Sequence, residues 1–119
     1  MRIGRLTDRI KVGLSLVLIA GSLTALGVMG TLAAPQYTVS QKGREFHPGQ
    51  LTIHPGEAIL IVNDDGDLRH HAYIDSDKFS FDSGDQEPGS KTLLTIPVAG
   101  DFTVLCAIHP KMRLVVHVK

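Results

Sequence analysis

One short stretch, Cys106-Ala107-Ile108-His109-Pro110-Lys111-Met112, gathers the only cysteine, a histidine three residues on and a methionine three beyond that. Thiolate, imidazole and thioether are the soft and borderline donors that copper prefers. A further histidine completes such a set, and Arg69-His70-His71 offers two adjacent ones well upstream. Trigonal His2Cys coordination with a weak axial methionine is the donor set of a blue-copper electron-transfer centre. The elements around these residues must therefore bring two distant segments to one place.

The chain has 119 residues, enough for one domain. Its first third differs from the remainder. Arg2, Arg5, Arg9 and Lys11 stand against a single early acid, Asp8, and Val12 to Ala34 then run without a charged side chain. A basic start before an apolar run is what the secretory machinery reads. Residues 1–34 are thus expected to be a signal peptide or a retained N-terminal membrane anchor. Thr31-Leu32-Ala33 or Val28-Met29-Gly30 would supply the small residues a cleavage site needs, whereas Pro35 disfavours cleavage after Ala34. The run is also long enough, as one hydrophobic helix, to reach the roughly 20 apolar residues that cross a bilayer. The early positive charges favour an N-terminus left in the cytoplasm. In both cases residues 35–119 form a periplasmic or other extracytoplasmic domain, tethered to the inner membrane if residues 12–34 remain.

That domain carries eight Lys and Arg against eleven Asp and Glu, a formal charge of −3. No basic stripe is available to neutralise phosphates, which argues against nucleic acid as a partner. One cysteine cannot make an internal disulfide, the usual staple of a small exported domain. A bound metal tying distant strands together would supply part of that constraint.

From Pro35 onward the pattern is β. Tyr37 to Gln41 alternates weakly, and Leu51 to Ile53 is a short strand ending at the turn His54-Pro55-Gly56-Glu57. Ala58 to Val62 is a continuous apolar run, which predicts a strand buried on both faces. Asn63-Asp64-Asp65-Gly66-Asp67 is a loop rich in turn formers. Strands are predicted again over 70–75, 79–83, 91–96, 101–106 and 112–118, with a single helical turn at most around Ser76 to Lys78. Short strands at such spacing, separated by Gly, Pro and Asp, predict an all-β sandwich or barrel.

Alternation along a strand tests the metal reading independently of the motif. Phe102, Val104 and Cys106 share one face, and Met112, Leu114, Val116 and Val118 share another. His70 aligns with the apolar Ala72 and Ile74, whereas His71 aligns with Tyr73 and Asp75. Each proposed ligand lies at the end of an inward set, and parity selects His70 over His71.

The Cys106–Met112 loop resembles that of the small cupredoxins, plastocyanin and above all amicyanin, whose ligand loop has the same C-x2-H-x2-M spacing. Phe46-His47-Pro48, the segment Leu51 to Glu57, Asn63 and Phe81-Asp82-Ser83-Gly84 also look like that family, the last resembling methylamine-utilisation-type proteins. The resemblance covers residues 36–119 and implies a Greek-key cupredoxin sandwich. It makes His70, Cys106 and His109 the strong ligands of one copper ion and Met112 the axial one. It also implies that His109 lies at the solvent edge, with Pro110 and apolar neighbours forming the contact patch. One position departs from it. In plastocyanin and amicyanin an asparagine commonly follows the first histidine and braces the loop near the cysteine; here it is His71. Either the imidazole takes over that hydrogen bond or the brace is absent.

These residue types also have ordinary structural roles. A free cysteine is commonly a small buried hydrophobe, and Met112 continues an apolar face, but neither accounts for the His109 spacing or the parity of His70. His47, His54 and His117 read as surface or turn residues. Asp64, Asp65, Asp67, Asp75 and Asp77 read as solvated loop, or as an acidic dock for a basic partner. The function expected is a monomeric single-electron carrier, not an enzyme, serving protein redox partners such as a dehydrogenase or a cytochrome. A copper delivery or storage protein would need further exchangeable Met and His, and a copper enzyme an open coordination position; both are weaker.

Overall fold

The structure is a computed structural model that describes residues 34–119. The expected leader and N-terminal hydrophobic helix lie outside the described residues, among which there is no helix. The described chain is an all-β sandwich. Its strands are β1 (Tyr37–Lys42), β2 (Glu45–His47), β3 (Gln50–Ile53), β4 (Ala58–Asn63), β5 (Ala72–Asp75), β6 (Ser80–Asp82), β7 (Lys91–Thr95), β8 (Gly100–Cys106) and β9 (Arg113–Val118). One sheet has the order β2-β1-β4-β7 and the other β3-β9-β8-β5-β6. β1 pairs with β4, and β3 with β9, in parallel; the remaining pairs are antiparallel.

The core follows from alternation. Val39, Ile59, Ile61 and Leu94 project from the first sheet onto Ile53, Ile74, Phe102, Val104, Leu114, Val116 and Val118 of the second. The Cys106, Met112 and His70 faces are the buried ones, while Arg113 and Asp75 are exposed and Thr103, Leu105, His71, Tyr73, Val115 and His117 are half-buried. Phe102 packs edge-on against Phe79 with ring centroids 6.1 Å apart, closing the core at the end away from the ligand loop.

Three local expectations change. β4 is not buried on both faces: Ile59 and Ile61 are fully buried, but Leu60 and Val62 only half so. A two-layer sandwich leaves one face of each sheet toward water, and an apolar run alone does not reveal this. The Ser76–Lys78 segment forms no helical turn; the Ser76 hydroxyl accepts the backbone N–H groups of Lys78 and Phe79, each at 3.2 Å, and closes a bend instead. β2 has no counterpart in the sequence reading because it offers a single inward residue, Phe46.

β2 exists because of its turn. Lys42 faces Glu45 across the β1–β2 pair, leaving the two-residue loop Gly43-Arg44 with φ of 65° and 60°. Both angles positive is the type I′ hairpin, which favours Asn or Gly at each position. Arg44 holds this conformation despite its Cβ, at a cost of about 1–2 kcal/mol.

Candidate metal centre

Three elements converge at one end of the sandwich. Cys106 ends β8 with its side chain on the core face, 2 % exposed. The next residues leave the sheet and return through Met112, whose N–H donates to the carbonyl of His109 at 3.0 Å, closing a tight ligand loop before β9. Ala72 of β5 lies opposite Cys106 in register. That pairing fixes the cysteine two positions along the chain from His70.

His70 lies just outside β5, fully buried. Its backbone makes a two-bond bridge with Gln86, N–H to carbonyl at 3.0 Å in one direction and 2.7 Å in the other. Asn63, also buried, locks the intervening loop: its amide nitrogen donates to the carbonyls of Leu68 (2.8 Å) and Gln86 (2.9 Å), and its amide oxygen accepts the Asp65 N–H (3.0 Å). The Gln86 side chain is equally occupied. Its oxygen accepts from Gln41 (2.8 Å) and the Ala72 N–H (3.1 Å), and its nitrogen donates to Thr92 (3.0 Å). Buried polar groups are costly unless bonded in this way, so the network specifies one position for the histidine.

The ring is oriented from its far side. His70 Nε2 lies 2.6 Å from Asp65 Oδ2, and the other Asp65 oxygen accepts the Gly43 N–H at 3.0 Å. Burial alone would raise the Asp65 pKa, but the Gly43 and His70 bonds outweigh it and hold the carboxyl below its usual range. An ionised Asp65 accepts a hydrogen bond from an N–H at His70 Nε2, the arrangement that leaves Nδ1 to face a metal. Asp65 is therefore not a solvated loop acid: its carboxylate is occupied by His70 and Gly43. Four residues of irregular loop separate it from His70, a spacing with no fixed geometry, so no periodic signal could have found it. Gln86 was equally hidden, lying in a loop with no alternation.

The free Nδ1 points at sulfur. Cys106 Sγ is 3.8 Å from His70 Nδ1 and 3.7 Å from His109 Nδ1, and the three donors all lie within 4.8 Å of one another. The two rings meet edge-on, with centroids 5.0 Å apart and planes at 60°. An ion about 2.3 Å from a thiolate and about 2.0 Å from an imidazole nitrogen, as zinc is, sets the two donors about 3.7 Å apart when the angle between them is trigonal. The spacing fits a first-row ion, and the donor set with one thiolate and two imidazoles fits a blue-copper site. Burial lowers the His109 pKa, with the nearby His70 and Arg44 charges adding to it against Asp65, which favours the neutral ring that can donate to a metal. Met112 is buried beneath the same loop, 1 % exposed.

The remaining histidines stay away from this group. His71 turns outward, its Nε2 2.6 Å from Asp82 and its Nδ1 3.4 Å from Asp85. Its imidazole therefore does not brace the cysteine loop; its backbone carbonyl does, accepting the Ala107 N–H at 2.9 Å. His117 is bonded to Asp101 (2.7 Å) and Gln50 (2.9 Å), His54 to the Lys119 carbonyl (2.9 Å), and His47 lies 3.5 Å from Glu45.

No protein-family model and no curated protein matches the chain. Solved structures do. A copper-containing nitrite reductase from Thermus scotoductus SA-01 matches with a TM-score of 0.67 and 27 % identity, over 78 % of this chain and 24 % of that one. The chain thus spans about a quarter of that enzyme. A reduced amicyanin variant matches with a TM-score of 0.66 and 19 % identity, over 74 % of this chain and 86 % of that one. Another amicyanin variant, in its Cu(I) form, gives the same TM-score and identity. The described chain has the cupredoxin fold, and its His70–Cys106–His109 group could bind one copper ion.

Proposed function

We propose that this cupredoxin-fold chain is a type 1 (blue) copper protein that carries single electrons. His70, Cys106 and His109 are the strong ligands and Met112 the weak axial one. The observation that carries the reading is the placement of both Nδ1 atoms at 3.7–3.8 Å from one buried thiol, the spacing that a single shared ion requires. Bound copper supplies the one-electron couple between its +1 and +2 states.

The protein's part is to keep those donors still. Cys106 is fixed by its β8 register, His70 by Asn63, Gln86 and Asp65, and His109 by the tight return to Met112. Donors held on strand ends and saturated loops move little when the charge at their centre changes, which keeps the barrier to transfer low. His109 is half-buried while His70 is fully buried, so His109 offers the short route to the surface. Structural likeness to amicyanin, solved in Cu(I) and oxidised states, supports a redox role. The likeness to a nitrite reductase covers only a quarter of that enzyme, and carriage rather than catalysis is the function proposed here. The partners are other proteins, and the setting is outside the cytoplasm.

The test is the visible spectrum of the full chain loaded with copper(II). An intense thiolate-to-copper absorption that bleaches with ascorbate and returns on reoxidation is expected. A colourless copper-loaded protein would refute electron carriage and point to delivery or storage.

A further inference from the structure

The surface at His109 is a shallow depression between the β1–β2 hairpin tip and the ligand loop. Arg44 and Glu45 border it on one side, and Ile108, Pro110 and Lys111 on the other. A second hollow shares Arg44, Glu45 and Lys111 and continues to Arg113. Ile108 is 44 % exposed, an apolar side chain next to His109 that the sandwich core does not bury.

The rim is basic. Among the described residues no ion pair engages Arg44, Lys111 or Arg113, whereas Arg69 is held by Asp85 at 3.6 Å and Glu87 at 3.0 Å. The one carboxylate on the rim, Glu45, lies 3.5 Å from His47, and the nearby Asp65 is occupied by His70 and Gly43. Arg44 also holds a left-handed conformation that glycine or asparagine would take more readily. Strain of this sort persists at functional positions where something else maintains it.

We propose that this face docks an acidic protein surface surrounding the partner's redox centre. Partner carboxylates meet Arg44 and Lys111, and apolar contact with Ile108 and Pro110 brings that centre to His109. The proposal rests on the reading of His109 as the edge of an electron-carrying centre. It is the reverse of an acidic dock for a basic partner. Because the whole chain has a formal net charge of zero, the attraction comes from local charge and not from the molecule as a whole.

Two small oxidants of opposite charge test it: hexacyanoferrate(III), an anion, and tris(phenanthroline)cobalt(III), a cation. Each takes one electron from the reduced copper-loaded full chain, leaving as hexacyanoferrate(II) or the cobalt(II) complex, and no bond to protein forms. Stopped-flow rates are measured as ionic strength rises from about 0.01 M to about 1 M, which shortens the screening length from about 30 Å to about 3 Å. The hexacyanoferrate rate is expected to fall about tenfold or more, with the cobalt rate level or rising. Arg44→Gln with Lys111→Gln should remove most of that salt dependence while leaving the copper spectrum in place. A hexacyanoferrate rate that is flat or rises with salt, or a double variant that keeps the original slope, would overturn the docking proposal alone. Exchange with neither complex would overturn the electron-carrier reading and this one with it.

Discussion

Asp65 Oδ2 lies 2.6 Å from His70 Nε2, so the buried histidine is oriented by a carboxylate from the loop that precedes it. The same carboxylate receives the Gly43 N–H, which ties the ring to the β1–β2 hairpin as well. Partners of this kind fix tautomer and raise ligand basicity, and their loss commonly reduces metal affinity about 10–100-fold. Asp65→Ala is expected to weaken copper binding by about that factor in chelator competition, with Asp65→Asn falling between it and the parent. Unchanged affinity in both variants would remove Asp65 from the site.

The two adjacent histidines should separate cleanly. His70→Ala is expected to abolish the thiolate-to-copper absorption, since its Nδ1 is one of the two facing Cys106. His71→Ala should retain it, because that ring faces Asp82 and Asp85. Visible spectra of the two copper-loaded variants decide the matter, and the opposite pattern would reverse the assignment.

Met112 is buried and continues the apolar face of Leu114 and Val116. Met112→Leu nearly conserves volume and should cost the apo-protein less than about 1.5 kcal/mol in urea unfolding. Removing a thioether donor destabilises the more highly charged copper state, so voltammetry should show a higher reduction potential. An unchanged potential would make Met112 ordinary core.

Gln86 and Gln41 form a buried amide pair at 2.8 Å. Gln86→Leu leaves the Gln41 amide without that acceptor and is expected to cost the apo-protein about 1–3 kcal/mol for the orphaned group. For a domain of this size each kcal/mol lowers Tm by about 4–8 °C. Gln41→Leu with Gln86→Leu should cost less than the sum of the single changes, because both partners then go together. Calorimetry of the four proteins gives the coupling directly.

The acid limb of stability should report Asp82. The Gly84 N–H, followed by the His71 ring, lowers its carboxyl pKa. A depressed folded-state pKa gives stability that is complete above the ordinary carboxylate value of about 3.9 and is lost as pH falls through the lowered one. Asp82→Asn should therefore lower the urea midpoint at neutral pH and flatten its decline below about pH 4, so that the two proteins converge in acid. A decline as steep as the parent's would exclude the contact.

Alternation made much of this fold legible before the structure was known. It distinguished His70 from His71 and set Cys106 and Met112 inward, since period two is a property of the residue order itself. What it could not convey was anything that depends on a neighbour from another segment. β4 looks buried on both faces because apolar content does not say how many layers cover a sheet. β2 is invisible because Phe46 alone makes no pattern. The braces of His70 escaped for the same reason: Asp65 and Gln86 act from outside the named strands and Asn63 from the last position of β4, and the partners of all three are decided by tertiary bonds. The basic rim joins Arg44 to Lys111 across most of the sequence, and only folding makes them neighbours.

The parallel pairing of β3 with β9 has a consequence in time. Gln50 to Ile53 must find Val115 to Val118, at nearly the other end of the described chain, whereas β8 and β9 are joined by the short ligand loop. Local pairings form early and distant ones wait on loop closure. The loop that carries Cys106, His109 and Met112 is closed by the neighbouring strands β8 and β9, so these donors are gathered at a small cost in chain entropy, whereas His70 is added by the more distant pairing of β5 with β8.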